Sequence, residues 1–193
     1  MGREFELKYA AKEEDLLILQ DRFPFLTSIS METVYYDTPR GDFGKRRWTF
    51  RRRMENGRSI CTLKTPAGGV LRNEWETECD DILRAVPALI SLGAPEELSA
   101  LAANGLAQSC GAKFTRLAGI LELSNTRIEL ALDRGVLTGG GRELPFAEVE
   151  VELKDGSMTT AVAFAEALAS ELGLKEEPRS KVARALALAR SEI

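Results

Sequence analysis

Charged and apolar side chains alternate from the start of the chain. Glu4, Glu6 and Lys8 share one parity, and Phe5, Leu7 and Tyr9 the other. A period of two puts the charges on one face of a strand over residues 3–10 and the apolar groups on the opposite face. Similar patterning predicts strands over residues 30–38, 46–55, 58–65, 70–79, 114–123, 126–134 and 146–154. Asn56-Gly57 is a two-residue hairpin signal, Thr38-Pro39-Arg40-Gly41 a turn, and Gly68-Gly69 another reversal. Gly139-Gly140-Gly141 reads as a hairpin linker, because the Lys-Ser/Thr sequel of a P-loop does not follow it. Residues 12–22 read as an amphipathic helix with Leu16, Leu17 and Leu19 inward. Residues 157–172 form a second, opened by Ser157, with Ala161, Phe164, Ala165, Leu168 and Leu172 inward. A last helix spans about 180–190, and residues 80–107 read as broken helix punctuated by Pro87 and Pro95. Antiparallel strands on short turns, with helices interspersed, predict an α+β fold built on a sandwich or barrel.

The charged parities are sorted by sign. Arg51 and Arg53 share a face, as do Thr62 with Lys64, and Glu148 with Glu150 and Glu152. Arg72, Glu74, Glu76 and Glu78 align on another strand, and Arg127, Glu129 and Asp133 on a further one. Like charges two residues apart destabilise a strand unless opposite charge lies between or across from them. The helices need the apolar faces for packing, so the charged faces either meet water or close on one another. A closed barrel lined by both signs satisfies both demands, with a basic wall for a polyanion and an acidic wall for divalent cations. A solvated outer face is the plainer alternative on this pattern alone.

Composition narrows the chemistry. A chain of 193 residues, 44% hydrophobic and 29% charged, suits one soluble domain with a sizeable core. No apolar run reaches membrane-span length, and no secretory signal is visible. The three cysteines, Cys61, Cys79 and Cys110, are scattered and make no disulfide framework, so a cytoplasmic location is expected. A net charge of −4 disfavours nonspecific binding to nucleic acid. Histidine is absent, which excludes Ser-His-Asp and Cys-His catalysis and histidine metal ligands. Any metal is then held by oxygen, which favours Mg²⁺, Mn²⁺ or Ca²⁺.

Eight short motifs in chain order resemble those of the CYTH superfamily, the triphosphate tunnel metalloenzymes. They are Glu4-x-Glu6-x-Lys8, Tyr35-Tyr36-Asp37-Thr38-Pro39, Arg51-x-Arg53, Thr62-Leu63-Lys64, Arg72-x-Glu74, Arg116 ahead of Asp133, Glu148-x-Glu150, and Ser180-Lys181-x-x-Arg184. The stretch Arg127 to Gly135 is especially similar to bacterial inorganic triphosphatases, whose CYTH domain is often followed by a helical CHAD domain; these 193 residues hold none, as expected of either a stand-alone version or a truncated chain.

The resemblance implies a single CYTH domain over residues 1–193: a closed eight-stranded antiparallel barrel with helices packed outside. It implies hydrolysis of inorganic triphosphate to diphosphate and phosphate with Mg²⁺ or Mn²⁺. The implied metal ligands are Glu4, Glu6, Asp133, Glu148 and Glu150. The implied phosphate-binding residues are Lys8, Arg51, Arg53, Lys64, Arg72, Arg116 and Lys181. Lys8, Glu6 and Glu150 are the implied catalytic residues, with the proton acceptor open among Glu4, Glu6 and Glu150. Arg72 and Glu74 line the tunnel or form a structural ion pair, Arg127 pairs with Glu129 across the wall, and Glu152 sits near the mouth. Arg184 is a structural partner, and Arg46, Arg47 and Arg52 are exterior. The partner is inorganic triphosphate or a related polyanion, without nucleic acid or membrane, in a monomer or a homodimer. Alternatives are hydrolysis of thiamine or nucleoside triphosphate, with Trp48 or Trp75 for stacking, adenylate cyclase chemistry, or a noncatalytic polyphosphate-binding module. The cyclase branch carries a His-Phe pair before the opening motif, and this sequence has no histidine.

Overall fold

The computed structural model describes residues 2–190. Its strands are β1 (Gly2–Ala10), β2 (Thr27–Asp37), β3 (Thr49–Glu55), β4 (Arg58–Pro66), β5 (Arg72–Glu78), β6 (Ala107–Leu123), β7 (Thr126–Gly139), β8 (Arg142–Asp155) and β9 (Lys175–Glu176). Its helices are α1 (Glu13–Arg22), α2 (Asp42–Lys45), α3 (Ile82–Ser91), α4 (Glu97–Ala103), α5 (Met158–Leu172) and α6 (Lys181–Ala189). The strands run in the order β5-β4-β3-β2-β6-β7-β8-β1, and β1 returns to pair with β5. That last ladder joins Gly2 to Glu74, Arg3 to Asn73 and Glu4 to Arg72, and it closes an eight-stranded antiparallel barrel. β9 is a two-residue addition to β1.

The alternation explains which way each strand faces. Phe5, Tyr9, Ile128, Leu130, Leu132, Val149 and Val151 point outward into a core covered by α1 and α5. Phe50, Cys61, Leu63 and Trp75 point outward on another side, beneath α2, α3 and α4. The opposite, charged parities therefore face the bore. A third apolar cluster lies inside one end: Met31, Tyr35, Ala112, Phe114, Leu137 and Phe146 pack against Ala185 of α6. This helix closes that end of the barrel.

Local chemistry sets the connections. Asn56 (φ 48°) and Gly57 (φ 87°) adopt the two left-handed conformations that a tight hairpin requires. The Ser157 hydroxyl accepts the Thr160 N–H at 3.3 Å and starts α5. Asp81 caps α3, its carboxylate accepting the N–H groups of Leu83 (2.8 Å) and Arg84 (3.0 Å). The Asp37 carboxylate accepts from the N–H groups of Thr38 (2.7 Å), Phe43 (2.9 Å) and Gly44 (3.0 Å). Those bonds build α2, a single turn too short for periodicity to reveal.

Three expectations are corrected. Leu17 is 53% exposed; only Leu16 and Leu19 of that trio are buried. Pro87 lies inside α3, and the break falls at Gly93, whose φ of 96° no helix tolerates. Strands β6, β7 and β8 run well beyond their predicted bounds, because continuous pairing with one another and with β2 carries them through stretches of weak alternation.

Gly139 fixes how close α6 sits. A Cβ there would lie 2.3 Å from the Ala185 carbonyl oxygen and 3.1 Å from the Ala189 Cβ. Gly139→Ala must push the helix out, and an overpacking cost of about 1–3 kcal/mol is expected. Chemical denaturation checks it; an unchanged midpoint would place α6 elsewhere.

Candidate active site

The inward charges meet around a cavity of about 550 Å³. β3, β4 and β5 contribute Arg51, Arg53, Lys64 and Arg72, and β6 contributes Arg116. β1 contributes Glu4, Glu6 and Lys8, β8 contributes Glu150, and α6 contributes Lys181. Every predicted phosphate-binding residue lines this one space, as do the three predicted catalytic residues.

Part of this charge is compensated within the wall. The Lys64 ammonium donates to Glu4 and lies 3.1 Å from Glu74. Arg51 stands 3.8 Å from Glu74 and 3.7 Å from Glu76, and Arg53 donates to Glu55 at 3.1 Å. Arg72 donates to the Arg47 carbonyl at 2.9 Å rather than to Glu74, so it is a lining residue and not half of a pair. The buried Nε–H groups of Arg51, Arg53 and Arg72 have no hydrogen-bond acceptor. Buried donors are costly to leave unpaired; these three guanidinium groups belong to residues that line the cavity, and Arg184 carries a fourth. Burial, with Arg51 and Arg116 nearby, also holds the Arg53 pKa below its usual value, and a bound anion reverses that.

The acidic wall has the opposite need. Glu6 forms no ion pair among the described residues, and its pKa is pushed up to about 7, first by burial and then by the Glu150 charge. Glu150 goes the other way: Lys181, Arg116 and Lys8 outweigh its burial and hold it well below the usual carboxylate range. The donors here are carboxylate oxygens, which suit a hard divalent cation. A cation beside Glu6 would supply the charge that it lacks, so the residues present fit such an ion.

Beneath the cavity lies a tighter cluster. Asp133 and Glu148 are fully buried and do not line the space; each meets the site through cations. Arg116 donates twice to Asp133, at 2.7 Å each, and also to Glu150. Lys181 lies 2.7 Å from Asp133 and 2.7 Å from Glu150 and also contacts Glu148. Arg184 donates to Glu148, the structural role expected of it. Asp133, Glu148 and Glu150 each present an oxygen within 4.8 Å of the others, a spacing compatible with one metal ion.

The CYTH domain family matches residues 2–186. The chain belongs to the CYTH family. An inorganic triphosphatase of Haemophilus influenzae is 27% identical over 191 residues, which is 95% of this chain and 54% of that protein. The chain thus spans about half the length of this curated relative. Among solved structures, a Hippeastrum protein provisionally classed as an adenylyl cyclase, with a dominant triphosphatase activity, aligns at TM-score 0.62 and 16% identity, covering 100% of this chain and 96% of that one. A protein from Pyrococcus horikoshii aligns at TM-score 0.61 and 23% identity, covering 95% and 98%. Both likenesses are of fold.

Other expectations for this CYTH chain resolve differently. Arg127 is exposed and pairs with Glu122 at 2.9 Å, while Glu129 lies 3.7 Å from Lys154. Arg47 sits on the cavity rim and not on the plain exterior. Trp75 is buried in the outer core, and Trp48 packs edge-on against Phe43, so neither reaches the cavity. Glu55, Lys154, Glu176 and Glu177 also line the cavity, and none is among the residues expected there. Lys154 continues the parity of Glu148, Glu150 and Glu152 and contacts Glu152 at 2.8 Å; extending the alternation one step finds it. Glu177 comes from an irregular segment whose N–H bonds the Lys8 carbonyl at 2.9 Å, and no periodic signal marks it. The cysteines are unreactive where burial raises their pKa: Cys61 to about 12 and Cys110 to about 11.

Two outcomes follow. Lys181→Met leaves three buried carboxylates short of a cation and should cost about 3–5 kcal/mol in metal-free buffer, read from urea midpoints. Glu6 titrates near 7 when folded and near 4.5 when unfolded, so the unfolded chain releases that proton first and stability falls as pH rises between those values. Glu6→Gln should therefore be the more stable protein at pH 8, by at most about 3 kcal/mol, and match the wild type below pH 4. Equal stability at pH 8 would mean that Glu6 is already compensated.

Proposed function

We propose that this chain hydrolyses inorganic triphosphate to diphosphate and phosphate, using Mg²⁺ or Mn²⁺. The observation that carries this reading is the pairing of opposite needs around one cavity: it is lined both by Arg51, Arg53 and Arg72, whose Nε–H groups lack a partner, and by Glu6, which has no ion pair among the described residues. A linear polyanion with a divalent cation answers both at once. The 27% identity to an inorganic triphosphatase supports it.

Arg51, Arg53, Lys64, Arg72 and Arg116 would hold the phosphate chain, with guanidinium forks matched to phosphate oxygens. Lys8, free of ion pairs among the described residues, would contact the phosphate next to the scissile bond. Glu4, Glu6 and Glu150 on the wall, with Asp133 and Glu148 beneath, would hold the metal. When bound, the metal would neutralise phosphate charge and lower the pKa of an attacking water. Of the candidate proton acceptors Glu4, Glu6 and Glu150, Glu6 is the one without an ion pair among the described residues. Glu150, held strongly anionic by Arg116 and Lys181, is a poor base and a good fixed charge.

The lining also speaks to the substrate. Tyr35 is its one aromatic side chain, itself 4% exposed, and both tryptophans face away. A thiamine or nucleoside moiety finds no stacking surface among the described residues. Phosphate release should therefore favour triphosphate over ATP and thiamine triphosphate by at least about tenfold in kcat/KM, and EDTA should abolish it. Cyclic AMP from ATP would identify a cyclase, and binding without turnover a noncatalytic module. Glu6→Gln and Lys8→Ala should each lower turnover by about 100-fold or more. Near-normal turnover in folded Glu6→Gln protein would remove the carboxylate from the mechanism.

A further inference from the structure

The buried cluster under the cavity holds one small cation position, and a side chain already fills it. The Lys181 ammonium sits among Asp133, Glu148 and Glu150, 2.7 Å from the first and 2.7 Å from the last, and touches the middle one. These carboxylates present oxygens within 4.8 Å of one another, room for a single ion with oxygens at about 2.0–2.6 Å. Arg116 holds both oxygens of Asp133, sharing Oδ2 with Lys181, and Arg184 holds the Glu148 oxygen that Lys181 does not touch. With Lys181, three cations already neutralise three carboxylates. A divalent ion entering beside the ammonium would place like charges a few ångströms apart in a poorly screened interior.

The three cations are held in different ways. The Arg116 fork is fixed by two hydrogen bonds to one carboxylate, Arg184 donates to Glu148 alone, and Lys181 reaches all three carboxylates as a point charge on a flexible stem. The rings of Phe114 and Phe146 lie 5.2 and 5.5 Å from its nitrogen, in the apolar cluster that packs on α6 at the closed end of the barrel. Its remaining exit is the cavity that it already lines.

We propose that Lys181 and a divalent cation are mutually exclusive occupants of the Asp133–Glu148–Glu150 site, so that metal entry ejects the ammonium into the cavity. This rests on the metal-dependent reading above. The ejected charge faces the phosphate chain, so metal and triphosphate bind cooperatively, and α6, which begins at Lys181, reports metal occupancy.

Acylation of lysines in the wild-type chain, mapped by mass spectrometry, tests this without substrate or turnover. Saturating Mg²⁺ should raise labelling of Lys181 by about fivefold or more while exposed Lys12 stays constant. Unchanged or slower labelling of Lys181 overturns the proposal. Independently, Mn²⁺ titration followed by electron paramagnetic resonance should find Lys181→Met binding the ion about tenfold tighter than the wild type. Equal or weaker binding by the variant overturns mutual exclusion and leaves the metal reading intact. Absence of Mn²⁺ binding by either protein overturns both.

Discussion

Charge facing charge across the bore is the constraint on which this molecule depends. Each strand carries an apolar and a charged face, and only one of them can meet the helices. The helices take the apolar faces, through Phe5, Leu130 and Val151 on one side and Phe50, Leu63 and Trp75 on another. The charged faces are then enclosed, and enclosure is tolerable only where opposite signs meet. Lys64 with Glu4, Arg116 with Asp133 and Glu150, and Arg184 with Glu148 satisfy that condition. Ring closure between β1 and β5 is part of the same solution, because it brings the acidic opening strand beside Arg72.

The compensation is incomplete, and the shortfall is where ligands belong. A barrel built for stability alone would leave no unpaired guanidinium Nε–H and no carboxylate titrating near neutral pH. This one leaves both on residues that line one cavity, while Arg184 behind it keeps a fourth unpartnered Nε–H. Asp133 and Glu148, which do not touch the cavity, are saturated with cations; Glu6, which does, is not.

α6 joins the two layers. It closes one end of the barrel against Phe114, Leu137 and Phe146 and delivers Lys181 to the acidic cluster from that end. Gly139 allows the approach, since any side chain there would meet the helix backbone. The packing of a C-terminal helix and the charge state of the site are therefore one structural question.

Much of this was legible in the residues alone. Strict alternation in β1, β3, β4 and β8 identified the strands and sorted their faces, because a period of two leaves no choice of side. The signs on those faces, with no histidine anywhere, set a basic wall against an acidic one and leave carboxylate oxygen as the expected ligand of any metal. What alternation cannot express is distance. Which of five carboxylates already has a cation, that Arg72 turns from Glu74 to a carbonyl, and that Arg127 faces water were decided by the curvature and closure of the barrel. The same holds for Lys181: a helical residue far from β7 and β8 in sequence, it enters their carboxylate cluster only because α6 packs across the end of a closed barrel.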